Sequence, residues 1–163
     1  LALGVAVDTP SIAGLQSAPL GSLKFVFVVA PHHPLAHLPE PLSDATLREH
    51  RVIAVADSAT RSNVSMGILP GQDVMTVDSM SAKIQAQLRG MGAGFLPEPM
   101  VRSYVNAGHL VVKAVERPQR TVRLSYVWGR TAQKSPGQAL QWWLAQLKSV
   151  ATQRSLLENH HHF

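Results

Sequence analysis

Residues 78–97 read DSMSAKIQAQLRGMGAGFLP, and they restrict the available folds more than any other stretch, because a helix start, an amphipathic helix and a glycine-spaced strand follow one another without a break. Asp78 and Ser79 are N-cap residue types whose side-chain oxygens accept hydrogen bonds from the unpaired first amides of a helix. Met80, Ile84 and Leu88 recur every four residues with Ala82 and Ala86 beside them, which predicts one buried face. Lys83, Gln85, Gln87 and Arg89 are expected on the solvent side. Gly90 stands where a left-handed residue ends a helix, and Gly92 and Gly94 let the returning backbone pass close to it before Phe95, Leu96 and Pro97. Helix, tight return and short buried strand make half of an α/β unit.

The order of these parts bears on chemistry. Dinucleotide-binding glycines follow a strand and open a helix, so that the helix amides face a phosphate. Here the glycines close a helix, and the plain reading is a tight connection without a ligand. A binding role falls more naturally on the N-terminal end, where Asp78, Ser79 and Met80 lie at the positive end of the helix dipole.

The chain has 163 residues, 45% of them hydrophobic and 15% charged, enough for one ordinary domain or two small α/β lobes with a real core. It has no cysteine, which excludes disulfides, thiolate catalysis and cysteine-based zinc sites. The formal charge is +5, but Lys and Arg are scattered and no basic run interleaves with aromatics. A mild attraction for small anions is expected, and direct DNA contact is not. No apolar segment approaches a membrane span and no export signal opens the sequence, so the expectation is a soluble chain that is not exported.

Residues 1–7, LALGVAV, read as a buried-type strand closed by a turn at Asp8, Thr9 and Pro10, and a chain opening inside such a strand reads as truncated. Residues 14–22 are polar and turn-rich, and 25–30, FVFVVA, form the clearest strand. His32, His33 and His37 invite a metal reading. Pro31, Pro34 and Pro39 preclude the helical face that would bring two of them onto one ion, so the segment reads as a rigid loop with no metal. Ser43 or Asp44 caps a short helix, and 51–56 is a strand. Asp57, Ser58, Thr60, Arg61 and Ser62 follow it, reading equally as a solvated loop and as ligand contacts beyond a strand end. Residues 67–73 turn, 74–77 form a strand, and Met100, Val101, Tyr104 and Val105 mark a helix ended by Gly108. Strands are expected at 110–115 and 121–128, around a charged turn at 116–120. After Ser135 and Pro136 a last helix presents Leu140, Trp143, Leu144, Leu147 and Val150 on one docking face, with Trp142 off it. The tail 151–163, ending LENHHHF, resembles a purification-tag remnant and is set aside.

The sequence of motifs FVFVVAPHHPLA, RVIAVA, GMGAGFLP and GHLVVKAVE, preceded by LALGVAV, resembles the effector-binding domain of LysR-type transcriptional regulators. The likeness covers about residues 1–150. It implies an α/β fold like the type 2 periplasmic binding proteins, with two lobes joined by two crossing strands. The lobes are placed at 1–50 with 127–150, the first of them incomplete, and at 51–126. The resemblance implies a small effector in the interlobe cleft, with the backbone of Gly4, Val5 and Ala6 on one wall, and Asp57, Ser58, Asp78, Ser79 and Met80 on the other. Met80 and Phe95 supply apolar contact. Helix amides and hydroxyls suit a carboxylate, pointing to a small organic or aromatic acid. Also implied are a cytoplasmic homodimer or tetramer, no cofactor, no membrane, and DNA contact only through an N-terminal winged helix-turn-helix that this sequence lacks.

A solute-binding protein of the same fold is the alternative, and an export signal upstream of Leu1 would favour it. An enzyme is not expected: the histidines crowd one loop and no serine has a nucleophile-elbow setting, so no catalytic residue is assigned.

Overall fold

The computed structural model describes residues 3–7, 13–56, 67–129 and 137–158. The elements in chain order are β1 (Leu3–Val7), β2 (Leu15–Val29), a 3-10 turn (Pro34–His37), α1 (Asp44–Arg48), β3 (Val52–Val55), β4 (Val74–Val77), α2 (Met80–Leu88), β5 (Gly94–Pro97), α3 (Glu98–Asn106), β6 (Val111–Val112), β7 (Thr121–Gly129), α4 (Gln138–Leu147) and α5 (Val150–Glu158). The chain divides into two compact units, Leu1–Lys24 with Thr121–Phe163, and Phe25–Arg120.

In the first unit β7 pairs antiparallel with β1 and with the first part of β2. The segment 14–22, expected to be turns, is thus largely strand. Its Pro19 and Gly21 are accommodated by a shift of register between them, the place where a ladder tolerates a residue without an N–H. Among the described residues β1 pairs only with β7, and its Val5 is 65% exposed, so the buried-type reading of this strand is corrected. Leu20, Tyr126 and Leu147 form the core, with Leu144 and Leu157 packed on it. The last helix is in fact two, α4 and α5. Trp143 and Val150, expected on the docking face, are 43% and 77% exposed: Val150 lies beyond the break after Leu147 that ends the stripe, and within α4 the buried residues are Leu140 and Leu147. The tail is helical through Glu158, and Leu157 belongs to the packing.

In the second unit β3 and β4 are parallel, from Val52 opposite Val74 to Val55 opposite Val77. Ile53 N donates to Ala93 O and Ala93 N to Arg51 O, both at 3.0 Å, which carries the parallel order to the start of β5. The run from β4 through α2 to β5 is therefore the expected α/β unit. β5 then pairs antiparallel with β2, Phe25 opposite Pro97 through Val28 opposite Gly94, and β6 with the end of β2. The strand expected at 110–115 shrinks to two residues plus a bridge between Val115 and Leu42. Val28, Ile84, Leu96, Val101 and Leu110 make the core. Residues 25–50 cluster with 51–120 because β2 contributes Phe25, Val26, Phe27 and Val28 to the β5 ladder, so the unit limits fall at 24/25 and 120/121, away from the expected lobe limits.

Candidate functional site

Ser79 caps α2: its hydroxyl accepts from Ala82 N at 3.2 Å, while Asp78 beside it is exposed. Met80 packs against the core cluster of the second unit. Two residues depart from the amphipathic reading. Lys83 is 5% exposed and Gln87 is fully buried, although both were expected on the wet side. The helix turns its buried stripe onto β3, β4 and β5, and that stripe takes in the positions three and seven after Met80 as well as those four and eight after it. Burial pushes the pKa of the Lys83 ammonium down to about 8. Among the described residues neither polar atom of the Gln87 carboxamide has a hydrogen-bond partner.

The glycines make this packing possible. Gly90 has φ 70° and ends the helix as expected. A Cβ on Gly92 would lie 2.8 Å from Arg51 O and 2.7 Å from Ile53 Cδ1. One on Gly94 would lie 2.9 Å from Gln87 Nε2 and 3.4 Å from Lys83 Cε, so the two polar side chains cross the bare backbone of Gly94.

Phe95, the next residue, sits edge-on to Phe27 with ring centroids 5.3 Å apart. It helps line a cavity of about 400 Å³ with Gly67, Arg117, Pro118, Gln119 and Arg120. A second of about 300 Å³ shares Phe95, Arg117 and Gln119 and includes Glu40 and Lys113. Most of the charge there is already matched. Arg117 Nε donates to Asp44 at 2.8 Å, and that bond holds the Asp44 carboxyl below its usual range. Lys113 Nζ donates to Leu38 O at 2.9 Å and lies 3.4 Å from Glu40, whose carboxyl is lowered chiefly by the Ala114 N–H and next by that ammonium.

The proline-histidine loop is structural in its contacts. His33 caps the 3-10 turn, its Nδ1 accepting from Leu35 N at 3.2 Å, and burial with the neighbouring His50 and His32 lowers its pKa. That bond requires an unprotonated Nδ1. Among the described residues no group of three His, Asp or Glu side chains could hold a metal ion, and no helix is long and apolar enough to cross a membrane.

Of the residues singled out from the sequence, Asp78, Ser79 and Met80 stand together at the start of α2, and Phe95 lies in β5 of the same unit. Gly4, Val5 and Ala6 lie in β1 of the other unit, opposite Val127, Tyr126 and Ser125. Asp57 and Ser58 lie outside the described residues. Lys83, Gln87, Arg117 and Arg120 were not singled out, although the helical spacing of the first two after Met80 was a usable signal.

Residues 1–152 match the model of the LysR substrate binding domain. The chain belongs to the LysR substrate-binding domain family. It is 38% identical over 112 residues to the HTH-type transcriptional activator AllS of Klebsiella pneumoniae, covering 68% of this chain and 42% of that protein. The chain thus spans less than half the length of this relative. Among solved structures, it superposes on the C-terminal domain of a probable LysR family transcriptional regulator from Rhodococcus sp. RHA1 with a TM-score of 0.67 at 21% identity, covering 91% of this chain and 75% of that one. It superposes on the Synechocystis PCC6803 CcmR regulatory domain, in complex with 2-PG, with a TM-score of 0.66 at 19% identity, covering 97% and 74%. The fold of this LysR-family chain is of the type 2 periplasmic-binding-protein kind, as the motif order implied.

Proposed function

We propose that the chain is the ligand-sensing part of a LysR-type transcriptional regulator, binding a small organic or aromatic acid and changing transcription through a DNA-binding segment outside this sequence. The observation that carries the reading is the family match over residues 1–152 together with a transcriptional activator as a relative. The CcmR regulatory domain, a neighbour in fold, was captured with a small molecule, which supports the same use of this fold. Members of the family regulate transcription, which favours neither an enzyme nor the solute-binding alternative. Assigned ligand contacts are Gly4, Val5, Ala6, Asp57, Ser58, Asp78, Ser79, Met80 and Phe95, and the working form is a cytoplasmic homodimer or tetramer.

A thermal-melt screen of small acids tests this, since a compound that binds only the folded state raises its melting temperature. Fused to the DNA-binding segment of a LysR-type activator, the chain should make a reporter respond to the compound found. A reporter indifferent to every stabilising compound overturns the reading.

A further inference from the structure

The buried face of α2 carries a polar pair that the described residues leave unmatched. Lys83 and Gln87 are four residues apart and cross the same bare patch at Gly94. Lys83 is 5% exposed, Gln87 is fully enclosed, and among the described residues neither carboxamide atom of Gln87 has a partner. The strands packed beneath them, VIAV in β3, VMTV in β4 and GFLP in β5, contain no titratable side chain. Among the described residues nothing supplies Lys83 with a carboxylate.

A donor count says what is missing. A protonated lysine brings three N–H groups and a carboxamide two, against one carboxamide oxygen able to accept. Lys83 can donate one hydrogen bond to Gln87 Oε1, which leaves donors on both residues with nothing to bind among the described residues. The absent partner is an acceptor, and beside a desolvated cation an anionic one is favoured over a hydroxyl or a carbonyl. A sugar or an amine would add donors to a place already in surplus. Helical side chains lean toward the helix N-terminus, so Lys83 reaches from this patch toward the turn that carries Ser79.

We propose that Lys83 is a specificity-determining residue of the ligand site, its ammonium and the Gln87 amide together receiving the carboxylate of a small organic acid. The inference rests on the sensor reading above and adds to it the residues that select for charge. Gly94 is part of the device, since a side chain there would occupy the space across which both groups extend.

The test follows the Lys83 ε-methylene by carbon-13 NMR through a pH titration of the whole chain, with acetate or benzoate added and chloride keeping the ionic strength constant. Acetamide and benzamide are the uncharged controls. One of the acids should raise the Lys83 midpoint from about 8 by about one unit or more and move the Gln87 side-chain amide signals, whereas the amides should do neither. Lys83→Met, which keeps the side chain's length and apolar stem, should weaken binding of that acid by at least about tenfold, and Gln87→Met should weaken it less. Equal effects of acid and amide, no effect of either acid, or undiminished binding by Lys83→Met would each overturn the inference. So would a fall of the Lys83 midpoint in Asp57→Asn without added acid, because the chain would then supply the carboxylate itself. A compound that stabilises the wild type and Lys83→Met equally, and drives the reporter, sinks this inference while the sensor reading stands. A chain that no small molecule stabilises loses both.

Discussion

His32 Nε2 donates to the backbone carbonyl of Arg89 across 3.3 Å, so that the proline-histidine loop closes the C-terminal turn of α2. Gly90, next to that carbonyl, has φ 70°, and a Cβ there would run into the His32 imidazole. The loop and the helix end are therefore one packing unit. Gly90→Ala should cost about 1–2 kcal/mol, from the left-handed backbone and from the collision, and His32→Ala about 0.5–1 kcal/mol for an exposed hydrogen bond. The double mutant should lose less than the sum, because removing the ring removes the collision. Urea denaturation of the four proteins measures this, and strict additivity would separate the two residues.

Gly92→Val and Gly94→Val should each lower stability by about 2 kcal/mol or more. The first drives a branched side chain into Arg51 O, a backbone atom that cannot swing away, and the second into Gln87. Normal melting in both, alongside lost response to an acid, would return the glycines to a direct binding role.

Lys83→Met should stabilise the chain at neutral pH by about 3 kcal/mol, the worth of a midpoint drop from 10.5 to about 8. The sign follows from proton affinity: the unfolded lysine binds its proton more tightly than the folded one, so folding releases a proton between these two pH values. The cost to the wild type is full below about 8 and disappears as pH rises through the unfolded value. The gap between mutant and wild type should close over that window in denaturation series. A gap independent of pH would mean that Lys83 is not charged and buried at once.

Ser79→Ala should destabilise α2 by about 1 kcal/mol through loss of the bond to Ala82 N, and Asp78→Ala by a few tenths at most. Melting curves of the two variants compare them directly. The reverse ranking would make Asp78 the cap.

Leu147→Asp should cost at least about 3 kcal/mol, because it places a carboxylate against Leu20 and Tyr126, and Leu144→Asp somewhat less, as Leu144 is only partly buried. Trp142→Ala, at a side chain 57% exposed, should stay within about 0.5 kcal/mol. Unchanged circular dichroism and melting in Leu147→Asp would remove α4 from the core described above.

Short-range chemistry is legible in the sequence. The Ser79 cap, the helix end at Gly90, the four buried residues of β5 and the short helix capped by Ser43 all rest on interactions within a few residues, and each stands where its residues put it. The family likeness was legible for the same reason, since its motifs are turns and strand starts whose residue types answer local backbone demands. Depth was another matter. Periodicity gives the direction in which a side chain leaves a helix axis, but how wide a stripe is buried depends on what lies opposite, and three strands beneath α2 drew Lys83 and Gln87 inside. The same dependence on distant partners made 15–24 a strand, through pairing with β7 about a hundred residues later, and broke the final helix so that Val150 faces outward. Burial, pairing and the unmatched polar pair are set by contacts between residues far apart in the chain, and no local pattern encodes which of those contacts will form.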